Sequence, residues 1–129
     1  MESIVPLRTM MRQGVPVCIG ADVPAFPSHL PLESIRCAMD RRAGSGRQLD
    51  TAEAVSFLEV LRMHTAGGAY AAFDEDSLGT LAPGKLADLA VWNKDLRKIA
   101  SGADLADLEA VATYVGGKAV YASPQMPGV

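Results

Sequence analysis

The run VATYVGGKAVYA, residues 111–122, constrains the fold of this chain more than any other stretch. Two β-rich segments flank Gly116 and Gly117. A two-residue connection between antiparallel strands is a primed turn. Such a turn needs positive φ at its centre, which glycine adopts without a steric penalty. The end of the chain is therefore expected to be an antiparallel hairpin. Upstream, LAPGKLADLAVWN places a Pro83–Gly84 turn before another short strand, residues 88–92. The linking segment DLRKIASGADLADLE is polar and irregular.

The first half has a different character. Residues 4–13 are expected to form a short helix ended by Gly14, the usual residue just past a C-terminus. Residues 15–19, VPVCI, are a short apolar run between glycines. Length and valine content predict a strand buried on both faces, as in a parallel sheet, with Cys18 a buried, reduced thiol. Residues 26–30 read as a loop. Pro31 opens a second helix where its missing N–H is harmless, with Leu32, Ile35 and Met39 as its apolar stripe and Gly44–Gly46 as its stop. A third helix is expected from Asp50, where Asp50 and Glu53 have capping-box spacing. Its polar face, Glu53, Ser56, Glu59 and Arg62, is narrow. Such a helix needs partners on more than one side. Helix, buried strand and helix followed by antiparallel strands predict an α/β chain whose end is a small β subdomain.

Composition excludes several functions. The 129 residues carry a net charge of −3 with both signs mixed, which gives no electrostatic footprint for nucleic acid. No apolar run approaches membrane-spanning length, and the early Arg8 and Arg12 are not followed by a secretory signal pattern. Two cysteines, Cys18 and Cys37, are too few for a disulfide scaffold. Together these predict a cytoplasmic setting.

Five segments in order, GVPVCIGADVP, PLESIRCAMDRR, LDTAEAVSFLEVLRMHTAGGAYAAF, LGTLAPGKLADLAVWNKD and VATYVGGKAVY, resemble the C-terminal part of metal-dependent amidohydrolases. The similarity is to the YtcJ-like branch, amidohydrolase family 3. It covers nearly the whole chain. Its most specific pieces are Gly-Lys-Leu-Ala-Asp at 84–88 and Val-Gly-Gly-Lys at 115–118. The resemblance implies that residues 1–75 are the end of a TIM-like barrel domain, with its last strand and helices. It implies that residues 76–129 are part of a composite β-sandwich subdomain. A metal-dependent hydrolase of a non-peptide C–N bond, amide or cyclic amide, is the implied activity, with a divalent metal, zinc by expectation, in the full-length enzyme.

In such barrels the active site lies at the C-terminal ends of the strands. Asp22 matches the aspartate that ends the last one. The implied roles are metal ligand, general base toward the metal-bound water, and later proton donor to the leaving group. From the residues alone, Asp22 also reads as a turn residue bonded to nearby backbone N–H groups. His29, in the following loop, reads as a solvated histidine or as a substrate contact.

The chain departs from the family in its histidines. The full enzymes carry an early His-X-His pair, whereas this chain has only His29 and His64. Three protein ligands are usual for catalytic zinc. No metal is therefore expected in the chain by itself, and the resemblance implies a C-terminal fragment. Besides the enzyme, two readings stay open: a non-catalytic assembly domain, and half of a partner-completed enzyme. A small-molecule substrate is expected in the full-length context. Self-association, or association with a missing N-terminal half, is expected as well.

The remaining chemistry-bearing residues read as structural. His64 should sit at a helix C-terminus as a dipole partner. Lys85 and Asp88 flank a turn, and Arg36, Arg41, Arg42 and Arg47 form a solvated face. Trp92, Tyr121, Met10, Met11 and Met39 read as packing.

Overall fold

The computed structural model describes residues 4–23, 28–124 and 126. Four α-helices precede a three-stranded antiparallel sheet: α1 Leu7–Arg12, α2 Pro31–Asp40, α3 Phe57–His64, α4 Ala66–Ala71, β1 Leu89–Trp92, β2 Ala110–Val115 and β3 Lys118–Ala122. The strand order is β1-β2-β3, so β1 and β3 each keep an outer edge unpaired among the described residues. Short 3₁₀ turns at Thr51–Glu53, Leu96–Lys98 and Gly102–Leu105 fill the connections.

The hairpin forms as expected. β2 pairs with β3 from Ala112↔Ala122 to Val115↔Lys118, and Gly116 and Gly117 both have positive φ, 56° and 78°. β1 pairs with β2 from Leu89↔Tyr114 to Trp92↔Ala110. All five residues of β3 are exposed, so Tyr121, read as core or edge packing, lies on the edge strand and not in the core. Trp92 does pack against the core.

That core joins both halves. Leu7 of α1, Ile35, Ala38 and Met39 of α2, and Phe57, Val60 and Met63 of α3 close around Leu105 and Leu108. Positions 57, 60 and 63 recur every three residues, which puts them on one helical face. Val60 is fully buried, at 0% exposure, while Leu58 on another face stays exposed.

Three helix boundaries differ from the sequence expectation, each for a local reason. α1 starts at Leu7, after Pro6. α2 ends at Asp40, before the glycines, because Arg41 adopts left-handed φ of 51° while its N–H closes on the Cys37 carbonyl oxygen. Arg41 is buried, at 2% exposure. Its guanidinium donates to the carbonyl oxygens of Asp50 (3.1 Å) and Ile4 (2.5 Å), so it does not belong to a solvated arginine face. α3 begins at Phe57, behind its Ser56 cap, and not at Asp50. Asp50 caps only the 3₁₀ turn, while Glu53 turns inward to accept from the Thr9 hydroxyl (2.5 Å) and amide (2.9 Å). These bonds lower the Glu53 pKa, the hydroxyl contributing most. The working capping box lies at Ser56 and Glu59.

Residues 15–19 are not a strand. They run extended, but no neighbouring strand lies beside them among the described residues. Val17 and Ile19 pack against the core while Val15 and Cys18 are exposed. Burial alternates only from residue 16 to residue 20, as along a run packed on one side, and the two-sided burial expected for the run and for the Cys18 thiol fails. The loop expected at 26–30 lies partly outside the described residues, which resume at residue 28.

Glu59 ties this fold to pH. Its carboxylate meets the Arg8 guanidinium in two bonds, 2.6 and 2.9 Å, and accepts from the Ser56 amide and hydroxyl. Arg8 is the largest cause of a pKa lowered to about 2. A depressed carboxylate pKa stabilises the fold above its ordinary value of 4.5, and that stability is lost as pH falls toward about 2. Equilibrium denaturation between pH 5 and about 2 should therefore show falling stability. In Arg8→Met that slope should flatten. An unchanged slope would show that Glu59 is not the titrating group.

Candidate functional site

Asp22 stands where the extended segment ends. The segment is launched from α1 by a bond from the Val15 amide to the Met10 carbonyl oxygen (3.0 Å). Val17 and Ile19 anchor it to the core, and Gly20 and Ala21 carry it outward. Asp22 takes left-handed φ of 49°, which aspartate tolerates better than most residues. Its side chain is exposed and has no hydrogen-bond partner among the described residues. The backbone amides after Val23 that a turn at Asp22 would use lie outside the described residues. His29 is also exposed, shortly before α2. Neither residue contacts the other through a hydrogen bond.

Among the described residues, no group of three or more His, Cys, Asp or Glu side chains is placed to hold a metal ion. Asp22 offers one carboxylate where a catalytic zinc takes three protein ligands. The described residues do not by themselves fit such a centre.

The other polar residues are engaged in architecture. Burial lowers the His64 pKa, which favours the neutral ring. Its Nε2 lies 3.0 Å from the Ser34 hydroxyl, and that hydroxyl donates to the Pro31 carbonyl oxygen (2.9 Å). The hydroxyl has one hydrogen, so Nε2 donates and Ser34 accepts. His64 thus links α3 to α2 as a neutral donor and is not a charged partner of the helix dipole.

The Gly-Lys-Leu-Ala-Asp motif has an equally definite structural task. Gly84 turns the chain with φ of 89°. Lys85 Nζ donates to the carbonyl oxygens of Glu75 (2.5 Å) and Leu78 (3.1 Å), closing the loop after α4. Asp88 accepts from the Gly116 amide (2.7 Å), and the Ala87 carbonyl oxygen accepts from the Gly117 amide (3.0 Å). The motif therefore fastens β1 to the hairpin turn.

An open groove of about 880 Å³ lies between α3, α4, the loop after α4 and β1. Leu58, Leu61, Leu78, Leu81, Leu89 and Trp92 give it an apolar lining. Neither Asp22 nor His29 lines it, and its own His64 and Asp88 hold the bonds just described. The groove is mainly apolar and stands apart from Asp22.

Comparison with known proteins agrees with this architecture. The model of the amidohydrolase family matches residues 1–121. The chain is 35% identical over 112 residues to an N-substituted formamide deformylase of Arthrobacter pascens, which covers 87% of this chain and 20% of that relative. It is 29% identical over 124 residues to YtcJ of Bacillus subtilis strain 168, an amidohydrolase by name, covering 94% of this chain and 23% of that protein. The crystal structure of an amidohydrolase from Thermotoga maritima superposes with a TM-score of 0.66 at 20% identity, over 91% of this chain and 26% of that one. The chain belongs to the amidohydrolase family, in its family 3 branch. It spans about a fifth of the length of the curated relatives it matches.

The fastening role of Asp88 gives a direct test. Removing a charged acceptor from a backbone amide costs about 1.5–3 kcal/mol when the bond is sheltered and less when exposed. Asp88→Ala should lower the melting temperature, and amide exchange should rise at Gly116 and along β1 while the helices keep their protection. Uniform loss of protection would mean that Asp88 supports the whole core and not the sheet alone.

Proposed function

We propose that this chain is the C-terminal part of a metal-dependent amidohydrolase that hydrolyses a non-peptide C–N bond, with Asp22 as a metal ligand and the general base. The observation that carries this reading is Asp22 itself: an exposed carboxylate, without a hydrogen-bond partner among the described residues, at the end of an extended segment in a chain that matches the amidohydrolase family over residues 1–121. The implied architecture is the end of a TIM-like barrel, residues 1–75, followed by part of a composite β subdomain, residues 76–129. The other metal ligands would come from the four-fifths of length that the relatives carry beyond this stretch.

Bound metal, zinc by expectation, would supply the polarisation that brings the pKa of water toward neutrality. Asp22 accepts a proton from the attacking water as the new C–O bond forms. It returns that proton to nitrogen as the C–N bond breaks, releasing acid and amine. His29 lies in the loop after Asp22 and is the candidate substrate contact. The name of the formamide deformylase makes N-substituted formamides the first substrates to try.

The test is Asp22→Asn in the full-length hydrolase that carries this sequence. Asparagine keeps the shape and removes the base. Turnover of an N-substituted formamide should fall about 100-fold or more, the range for lost acid–base catalysis. Unchanged turnover would overturn the assignment and favour a non-catalytic role in assembly.

Association belongs to the same proposal. Phe73 is 91% exposed and Leu81 78%, beside a groove lined with leucines. Soluble monomers rarely leave apolar patches of more than a few hundred Å² open, and free strand edges are templates for pairing. The remaining part of the hydrolase is the occupant that fits. Without it, the 129-residue chain should pair with a second copy, a closed two-fold dimer being the commonest arrangement. Sedimentation velocity across a dilution series should show a concentration-dependent shift. A monomer at every concentration, unfolding cooperatively, would contradict this.

A further inference from the structure

The sequence of α4, AGGAYA, is a poor helix on intrinsic grounds. A glycine inside a helix costs about 1 kcal/mol relative to alanine. Its two glycines nevertheless differ in what surrounds them. At Gly68 an added Cβ would meet nothing within 4 Å. At Gly67 it would run into the carbonyl oxygen of Val17 and come within 3.3 Å of the Cys18 Cα. These are backbone atoms of the extended segment, which no rotamer change can move aside. The loop after α4 also comes close to the helix. At Gly79 a Cβ would lie 2.7 Å from the Ala69 Cβ and 2.9 Å from the Ala66 Cα. The helix thus packs closely against both the extended segment and the loop after α4.

We infer that Gly67 is a positioning residue for Asp22: its missing side chain sets how closely the segment 15–22 rides on α4, and so where the carboxylate stands. What this chain itself contributes to the segment's placement is the Val15 amide bond, Val17 and Ile19 in the core, and the backbone contact at Gly67. The remaining strands of the proposed barrel would pair beside the segment, whereas its height over α4 is set at Gly67. An alanine at 67 must lift the Val17 peptide, five residues before Asp22. This inference rests on the base role proposed for Asp22.

The experiment uses the full-length hydrolase carrying this sequence, with an N-substituted formamide as probe. Gly67→Ala should lower kcat about 100-fold with a smaller change in KM, since displacement of a reacting group by about 1 Å has that effect. Gly68→Ala should leave kcat unchanged and raise the melting temperature. In Asp22→Asn, adding Gly67→Ala should bring no further loss, because no base remains to be misplaced. Amide resonances of residues 15–23 in the 129-residue chain should shift in Gly67→Ala and not in Gly68→Ala. If Gly67→Ala folds poorly, the double variant Gly67→Ala, Gly68→Ala regains helix propensity and is compared with Gly68→Ala. Unmoved resonances in 15–23, or losses that add in full to those of Asp22→Asn, would overturn the inference and leave the role of Asp22 standing. Full turnover by Asp22→Asn would overturn the underlying assignment, and the role of Gly67 with it.

Discussion

The contact on which the first half depends is the pairing of Arg8 with Glu59. One guanidinium meets both carboxylate oxygens and also donates to the Ala54 carbonyl oxygen at 2.8 and 3.1 Å. The same carboxylate closes the capping box of α3. A single group therefore ends one helix correctly and fixes a second helix against it. Bidentate geometry makes the pair directional as well as strong. From α1 the chain passes straight into the extended segment and Asp22. The location of that acid is thus inherited from a contact between residues 51 positions apart. Thr9, the next residue, adds a second tie through its amide and hydroxyl to Glu53, so α1 is bound at two points to the stretch preceding α3.

The same economy appears in the second half. Lys85 and Asp88 lie in one short motif, and each satisfies backbone groups that would otherwise be left open. The lysine gathers two carbonyl oxygens of the loop after α4, and the aspartate takes an amide at the hairpin turn. Charged residues in a family motif invite a catalytic reading. Here their partners are main-chain atoms, which is the signature of a clasp. Asp22, by contrast, has no hydrogen-bond partner among the described residues.

Much of this was legible in the sequence where the determinants are local. The hairpin followed from Gly116–Gly117 and the opening of α2 from Pro31, because turn and cap chemistry act within a few residues. Asp22 could be singled out only through the family resemblance, since an aspartate before Val-Pro is by itself an ordinary turn residue. What was not legible depended on distant partners. Arg41 reads as a surface arginine until Asp50 and Ile4 are seen to surround it. Asp50 and Glu53 have the spacing of a capping box, but Thr9 captures the glutamate. Residues 15–19 have the composition of a buried strand, yet a strand needs neighbours, and none lies beside them among the described residues. The doubled glycine of α4 was the one available sign of a close backbone approach, and sequence alone does not tell which glycine makes it.

The bond between Asp88 and the Gly116 amide also bears on how the sheet comes together in time. β2 and β3 are joined by two residues, so their hairpin can close within microseconds, on the scale of isolated hairpins. β1 precedes β2 by a long irregular connection and has to find its register afterwards. A slip of one residue would exchange the two faces of Leu89, Ala90, Val91 and Trp92. The bond from the Gly116 amide to the Asp88 carboxylate is made in the native register and favours it, so that Asp88 can act as a latch for β1. A chain lacking that latch would dwell longer with β1 undocked, and its slowest refolding phase would report the search for register rather than the closing of the hairpin.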